Sequence, residues 1–221
     1  MARFTRMQVL NTMYDTGLVP IFYHGDLNIA KEVIKACVAG GARIIEFTNR
    51  GDRAWNVFTA LIGFLEQEAP DVIMGIGSVI DAPTAAMYIA SGANFVVSPV
   101  LVPETARVCN RHKIAYLPGC GTLSEISQAE ELGCEIVKIF PGDCVGGPEF
   151  IKAIKGPMPW TSLLPTGGVS MDNAQEWIKA GAACLGMGSQ LIRKEWVSKG
   201  NFDAIRENVA AALKLIREAR G

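Results

Sequence analysis

The chain has 221 residues, 49% of them hydrophobic and 19% charged, which excludes global disorder. Lys and Arg number 21 against 22 Asp and Glu, for a net charge of −1. No basic surplus exists to neutralise a run of phosphates, so nucleic acid is excluded as the main partner. The length fits a single α/β barrel of roughly 200–250 residues.

Residues 3–16 read as a helix ahead of the first apolar run. Eight such runs follow, at 18–23, 43–47, 72–76, 95–98, 114–118, 135–140, 161–165 and 183–187. Helical patterns lie between them, at 26–39, 53–68, 82–91, 103–112, 123–132, 147–155 and 171–180, with a last helix over 202–219. Strands alternating with helices imply parallel βαβ units. A weak repeat supports this: Gly40-Gly41-Ala42-Arg43-Ile44-Ile45 recurs as Ser91-Gly92-Ala93-Asn94-Phe95-Val96, Leu132-Gly133-Cys134-Glu135-Ile136-Val137 and Ala180-Gly181-Ala182-Ala183-Cys184-Leu185. In each copy a helix ends on a left-handed glycine and a strand begins. The copies precede the second, fourth, sixth and eighth runs. That regularity, with no break in composition, predicts one domain over 1–221: an α/β, single (β/α)8 TIM barrel with an extra N-terminal helix.

Cys37, Cys109, Cys120, Cys134, Cys144 and Cys184 form no C-x-x-C pair and sit mostly among apolar neighbours. Free thiols used as core residues suit a reducing, cytoplasmic setting. Charged residues near the N-terminus are followed by no apolar stretch of signal-peptide type. No apolar run reaches 18 residues, so no membrane span is expected. His24 and His112 are the two histidines. No zinc-like ligand spacing occurs, so no protein-held metal is expected.

Barrel sites lie at the C-terminal ends of strands, so charges inside apolar strands are the first candidates. Side chains alternate along a strand, which puts Ile136, Lys138 and Phe140 on one face. If that face is inward, desolvation lowers the Lys138 pKa, and a neutral amine can attack a ketone to form a Schiff base. The alternative is a lysine snorkelling from the outer face. Glu46 shares a face with Ile44 and Thr48, and can shuttle protons in the same lumen or serve a structural ion pair. Arg50 follows in the loop, where a guanidinium can clamp a carboxylate or simply lie at the surface. Ser78, in Gly75-Ile76-Gly77-Ser78-Val79, can donate to the same carboxylate. Pro99 ends the fourth run as an apolar wall. Two glycine-rich stretches, Pro165-Thr166-Gly167-Gly168-Val169-Ser170 and Leu185-Gly186-Met187-Gly188-Ser189, follow the seventh and eighth strands. Either loop alone can be a tight turn; both together at these strands favour a phosphate site, built from backbone N–H groups aided by a helix N-terminus. Ser189 adds a hydroxyl.

In order and spacing these segments resemble the 2-keto-3-deoxy-6-phosphogluconate / 4-hydroxy-2-oxoglutarate aldolases. The likeness runs from about Val19 to Leu191. It rests on Ile45-Glu46-Phe47-Thr48, Gly75-Ile76-Gly77-Ser78, Val97-Ser98-Pro99, Tyr116-Leu117-Pro118-Gly119, Val137-Lys138-Ile139-Phe140-Pro141-Gly142, Leu164-Pro165-Thr166-Gly167-Gly168-Val169 and Gly186-Met187-Gly188-Ser189. The resemblance implies Lys138 as the Schiff-base lysine and Glu46 as the proton shuttle. It implies Arg50 and Ser78 on the substrate carboxylate, and Pro99 and Phe140 as apolar walls. Gly167, Gly168, Gly188 and Ser189 fall on the phosphate loops. It also implies a keto-acid phosphate substrate, no cofactor, no metal, and a homotrimer. One departure is Phe22-Tyr23-His24-Gly25-Asp26, where many members carry an arginine near the end of the first strand. Gly51-Asp52 after Arg50 is a second. The competing readings are another sugar-phosphate barrel enzyme, such as an isomerase, an epimerase or a thiamine-phosphate-synthase-like protein, or an inactive sugar-phosphate-binding homologue. The thiamine-type reaction needs an acidic cluster for magnesium and diphosphate, and the sequence has none.

Overall fold

The computed structural model describes residues 2–221. Helix α1 (Arg6–Thr16) comes first, followed by β1 (Leu18–Phe22), α2 (Leu27–Ala39), β2 (Ile44–Thr48), α3 (Ala54–Glu68), β3 (Ile73–Gly77), α4 (Ala82–Ala90) and β4 (Phe95–Val97). The middle of the chain forms α5 (Pro103–His112), β5 (Ala115–Leu117), β6 (Gly119–Cys120), α6 (Leu123–Glu131), β7 (Val137–Ile139) and α7 (Gly147–Lys155). The last part is β8 (Leu163–Pro165), α8 (Ala174–Lys179), β9 (Leu185–Met187), α9 (Lys194–Ser198) and α10 (Phe202–Arg220).

The strands make two parallel sheets, one of six strands ordered β5-β4-β3-β2-β1-β9 and one of three ordered β6-β7-β8. The fifth predicted run is split at Pro118, whose ring nitrogen has no proton for a ladder; its carbonyl still accepts from the Lys138 N–H at 3.0 Å. A lone parallel bridge, Thr166 to Gly186, joins the exit of β8 to β9. Both sheets curl around one interior cluster. Ile44 and Ile73 from the larger sheet meet Ile136 and Leu164 from the smaller, and Val9, Leu10 and Met13 of α1 fill the same space. The next residues along each strand, Ile45, Phe47, Val137 and Ile139, face outward into a second cluster beneath the helices.

The four repeat copies share one turn. Gly41, Gly92, Gly133 and Gly181 all have φ between 82° and 106°. The residue after each glycine donates its N–H five residues back: Ala42 to Cys37, Ala93 to Tyr88, Cys134 to Ala129, Ala182 to Trp177. That is the Schellman closure, which satisfies the helix's last carbonyls and turns the chain into the next strand. Helix α1 begins with a reciprocal capping box between Thr5 and Gln8 and ends on left-handed Gly17. Arg220, at the end of α10, donates to the Asp15 and Ala183 carbonyls and so ties α1 and the entry to β9 to the last helix.

One predicted helix is shorter, and one helix is new. The helix expected over 171–180 covers 174–179, because Asn173 caps a turn instead of continuing the helix: its Oδ1 accepts from the Ser170 N–H and its Nδ2 donates to the Gly168 carbonyl, each at 2.8 Å. Helix α9 was not foreseen. Among the described residues no helix is long and apolar enough to cross a membrane.

Candidate active site

Lys138 and Glu46 point inward. Their neighbours two residues back, Ile136 and Ile44, belong to the interior cluster, and strand alternation puts each charge on the same face one step toward the C-terminal rim. They are 6% and 2% exposed. Burial lowers the Lys138 pKa, with Glu46 opposing that shift and Arg50 adding to it. Burial raises the Glu46 pKa, against the pull of Lys138 and Arg50. Both groups are therefore driven toward their neutral forms, an amine that can act as a nucleophile and a carboxyl that can give or take a proton. The Lys138 Nζ lies 4.7 Å from the centroid of the Phe140 ring, on the same strand face.

Glycine makes room for the acid. A Cβ on Gly77 would stand 1.8 Å from Glu46 Oε1 and 2.6 Å from its Cδ, so the carboxyl lies across the bare end of β3. Ser78 follows at once, half-buried and in the left-handed region at φ 60°. The β2 exit is pinned separately. The Asn49 N–H donates to the Gly77 carbonyl at 2.8 Å, and its Oδ1 accepts from the hydroxyl of buried Tyr88 at 2.8 Å. Arg50 is the next residue.

Above the pair lies a cavity of about 810 Å³. Its lining includes Thr48 and Phe140, the residues directly above Glu46 and Lys138 on their strands, together with Arg50, Gly167, Gly168, Gly188 and Ser189. The buried pair thus sits one layer beneath its floor. Ser78 and Pro99 are not part of the lining. Pro99 instead packs its carbonyl against Gly119, where a Cβ would come within 2.2 Å of it.

The two glycine loops present free donors. Among the described residues the N–H groups of Gly168, Val169, Ser189 and Gln190 have no backbone acceptor, while Leu191 and Ile192 both donate to the Gly188 carbonyl at 2.9 Å and fold that loop into a single turn. Unpaired backbone N–H groups at a cavity wall are suited to an anion. The expected helix N-termini do not abut the loops. Helix α8 starts at Ala174 and α9 at Lys194. Gly168 is at φ 77°, and a Cβ there would meet Asp143 Cβ at 2.3 Å.

The family model described as "Aldolase: KDPG and KHG aldolase" matches residues 9–208. The chain belongs to this family. It is 36% identical over 191 residues to a 2-dehydro-3-deoxy-phosphogluconate aldolase of Pseudoalteromonas atlantica, covering 86% of each chain. To the KHG/KDPG aldolase of Escherichia coli K12 it is 32% identical, with 91% of this chain and 90% of that one covered. Among solved structures, the KDPG aldolase of Legionella pneumophila, with pyruvate captured as a covalent carbinolamine intermediate, superposes with a TM-score of 0.85 at 28% identity, over 92% of this chain and 97% of that one. A thiamine phosphate pyrophosphorylase of Pyrococcus furiosus, at 20% identity and a TM-score of 0.72, shares the fold.

Within this aldolase scaffold the structure adds residues that no motif marked. Asp143 and Lys194 line the cavity, as does His24, which the sequence singles out only as standing where many members carry a first-strand arginine, and Asn173 and Tyr88 hold its loops. Five of the cysteines are buried, and burial pushes the thiols of Cys37 and Cys184 up to about 12, which keeps them protonated and inert.

Proposed function

We propose that the chain is a class I aldolase that cleaves 2-keto-3-deoxy-6-phosphogluconate, a close epimer, or 4-hydroxy-2-oxoglutarate to pyruvate and an aldehyde, glyceraldehyde 3-phosphate or glyoxylate. The observation that carries the reading is a desolvated amine and a desolvated carboxyl on facing strands beneath a cavity whose far loops offer free N–H donors.

The Lys138 amine adds to the C2 ketone. Glu46 protonates the carbinolamine hydroxyl, which leaves as water, and a protonated imine results. The Glu46 carboxylate then takes the C4 hydroxyl proton. The C3–C4 bond breaks, its electrons form the C2–C3 double bond of an enamine and neutralise the imine nitrogen, and the aldehyde departs. Glu46 returns its proton to C3, and water hydrolyses the imine to pyruvate and free Lys138. The electron sink is the lysine imine itself, so the steps as written use no metal and no organic cofactor. Arg50 holds the keto-acid carboxylate, with Ser78 supporting it. Phe140 and Pro99 wall the pyruvate carbons. Gly167, Gly168, Gly188 and Ser189 take the phosphate. Fixing both ends over the amine is a positioning effect worth up to roughly 7–11 kcal/mol.

In this reading the two sheets are parts of one closed (β/α)8 barrel spanning the chain. The Thr166–Gly186 bridge forms one seam, the Pro118 break forms the other, and α1 is an extra helix plugging the N-terminal end. Six free cysteines fit a cytoplasmic protein, and the family resemblance supports a homotrimer. Pyruvate release coupled to lactate dehydrogenase, run with a panel of keto-acid phosphates and 4-hydroxy-2-oxoglutarate, tests the activity. Turnover of one of them is expected; release from none would overturn the assignment.

A further inference from the structure

Beyond the glycine loops, one corner of the cavity carries side-chain donors to which the resemblance gives no role. Strands β1 and β9 pair in parallel, with Pro20 opposite Met187, and a Cβ on Gly188 would lie 3.7 Å from the Ile21 carbonyl. The two strand exits therefore run side by side, and His24 and Lys194 both lie on the cavity wall.

The His24 ring is anchored. Its Nδ1 accepts the Asp26 N–H at 3.1 Å, and Asp26 in turn caps α2 by accepting from Asn28 and Ile29. With Nδ1 accepting, the neutral ring carries its proton on Nε2, which is then free to donate. Nδ1 also lies 3.3 Å from the Asp26 carbonyl, so both contacts hold the ring at Nδ1.

Lys194 is free where its neighbours are engaged. Glu195 pairs with Lys199 at 2.8 Å, and the Arg193 guanidinium lies over Trp196 at 4.9 Å. Lys194 has no carboxylate within salt-bridge distance among the described residues; the acid that shares its cavity, Asp143, packs against Gly168. An unpaired ammonium and an oriented imidazole donor, flanking exposed amides, suit a ligand with several acceptor oxygens and more than one negative charge.

Resting on the aldolase reading, we propose that His24 and Lys194 are specificity-determining residues that select substrates ending in a phosphate monoester over unphosphorylated keto acids. The phosphate bridges the two side chains and the 168–169 and 189–190 amides. Neither residue touches the reacting carbons.

The test is steady-state kinetics on H24L and K194M with a phosphorylated substrate and with 4-hydroxy-2-oxoglutarate. Losing one donor to a charged oxygen is expected to raise KM for the phosphorylated substrate about tenfold in each variant, with kcat held within about threefold. The KM for 4-hydroxy-2-oxoglutarate moves far less. Inorganic phosphate, as a competitive inhibitor of the phosphorylated reaction, should weaken by the same factor. Equal KM changes for both substrates, or none for either, would overturn the proposal while leaving the aldolase intact. If the wild-type chain releases no pyruvate, the aldolase reading fails. Calorimetry with inorganic phosphate then decides this proposal separately: about tenfold weaker binding to each variant supports it, and unchanged binding refutes it.

Discussion

Replacing Gly77 with alanine places a methyl group 1.8 Å from Glu46 Oε1, against an ordinary carbon–oxygen contact of at least 3.4 Å. The backbone at Gly77 is ordinary strand, so the added carbon costs no conformational strain. The carboxyl must retreat by about 1.6 Å, and a misplacement of about 1 Å at a reacting group can cost about 100-fold. Glu46 is a flexible side chain with the cavity above it, so the fold accommodates the shift while the proton relay does not. We expect G77A to unfold within about 3 °C of wild type and to lose about 100-fold in kcat, roughly 2.7 kcal/mol of barrier. Pyruvate release gives the rate, and a thermal melt checks the fold. Borohydride should still trap pyruvate on Lys138, since the amine is untouched, but more slowly, since Glu46 also protonates the carbinolamine hydroxyl. A G77A enzyme within threefold of wild-type kcat would refute the placement of Glu46 as the working acid.

Other expectations follow from the same geometry. N173A removes the staple between Ser170 and Gly168, and should raise KM for a phosphorylated substrate about tenfold while moving that for 4-hydroxy-2-oxoglutarate little; equal rises would contradict the loop's role. S189D should discriminate in the same direction, because a carboxylate repels the phosphate. Lys138 has its folded-state pKa below the ordinary lysine value, so the unfolded chain binds more protons between the two values. Stability therefore rises with pH across that window, up to the unfolded pKa near 10.5. Deleting the amine in K138M removes this cost and should raise stability at neutral pH by about 1 kcal/mol, or roughly 2–4 °C in Tm. A lower Tm would show that the buried amine is not held at a cost. G41A forces a side chain to φ 100° beside Leu213 and should destabilise by about 1–2 kcal/mol, measured by urea unfolding.

Much of this was legible because of where charge falls in apolar sequence. Lys138 and Glu46 stand out as lone charges in strand-like runs, and alternation alone assigns them to the faces of Ile136 and Ile44. The repeated glycines are legible for a steric reason: a helix that must turn at once into a strand needs a left-handed residue, and all four adopt it. What the sequence could not display is convergence from separate loops. His24, Asp143 and Lys194 lie on three different connections and meet only once the strands curl. Nothing in local sequence distinguishes Lys194 from the exposed lysines that pair along helices. Asn173 reads as one more helical residue, yet its amide serves Gly168 and Ser170 and delays α8. The dipole expected at the phosphate loops fails for the same reason, since both helices begin several residues too late. Pro118 splits the fifth strand by lacking a proton, an effect that its apolar neighbours hide.

The central claim is that the buried amine of Lys138 forms an imine with the keto acid. Incubation with pyruvate and sodium borohydride, followed by proteolysis and mass mapping, tests it directly. The account predicts a single reduced adduct on Lys138, absent from K138M, with trapping half-maximal at a pH below the ordinary lysine range because burial lowers that pKa. An adduct on any other lysine, or undiminished trapping in K138M, would contradict it.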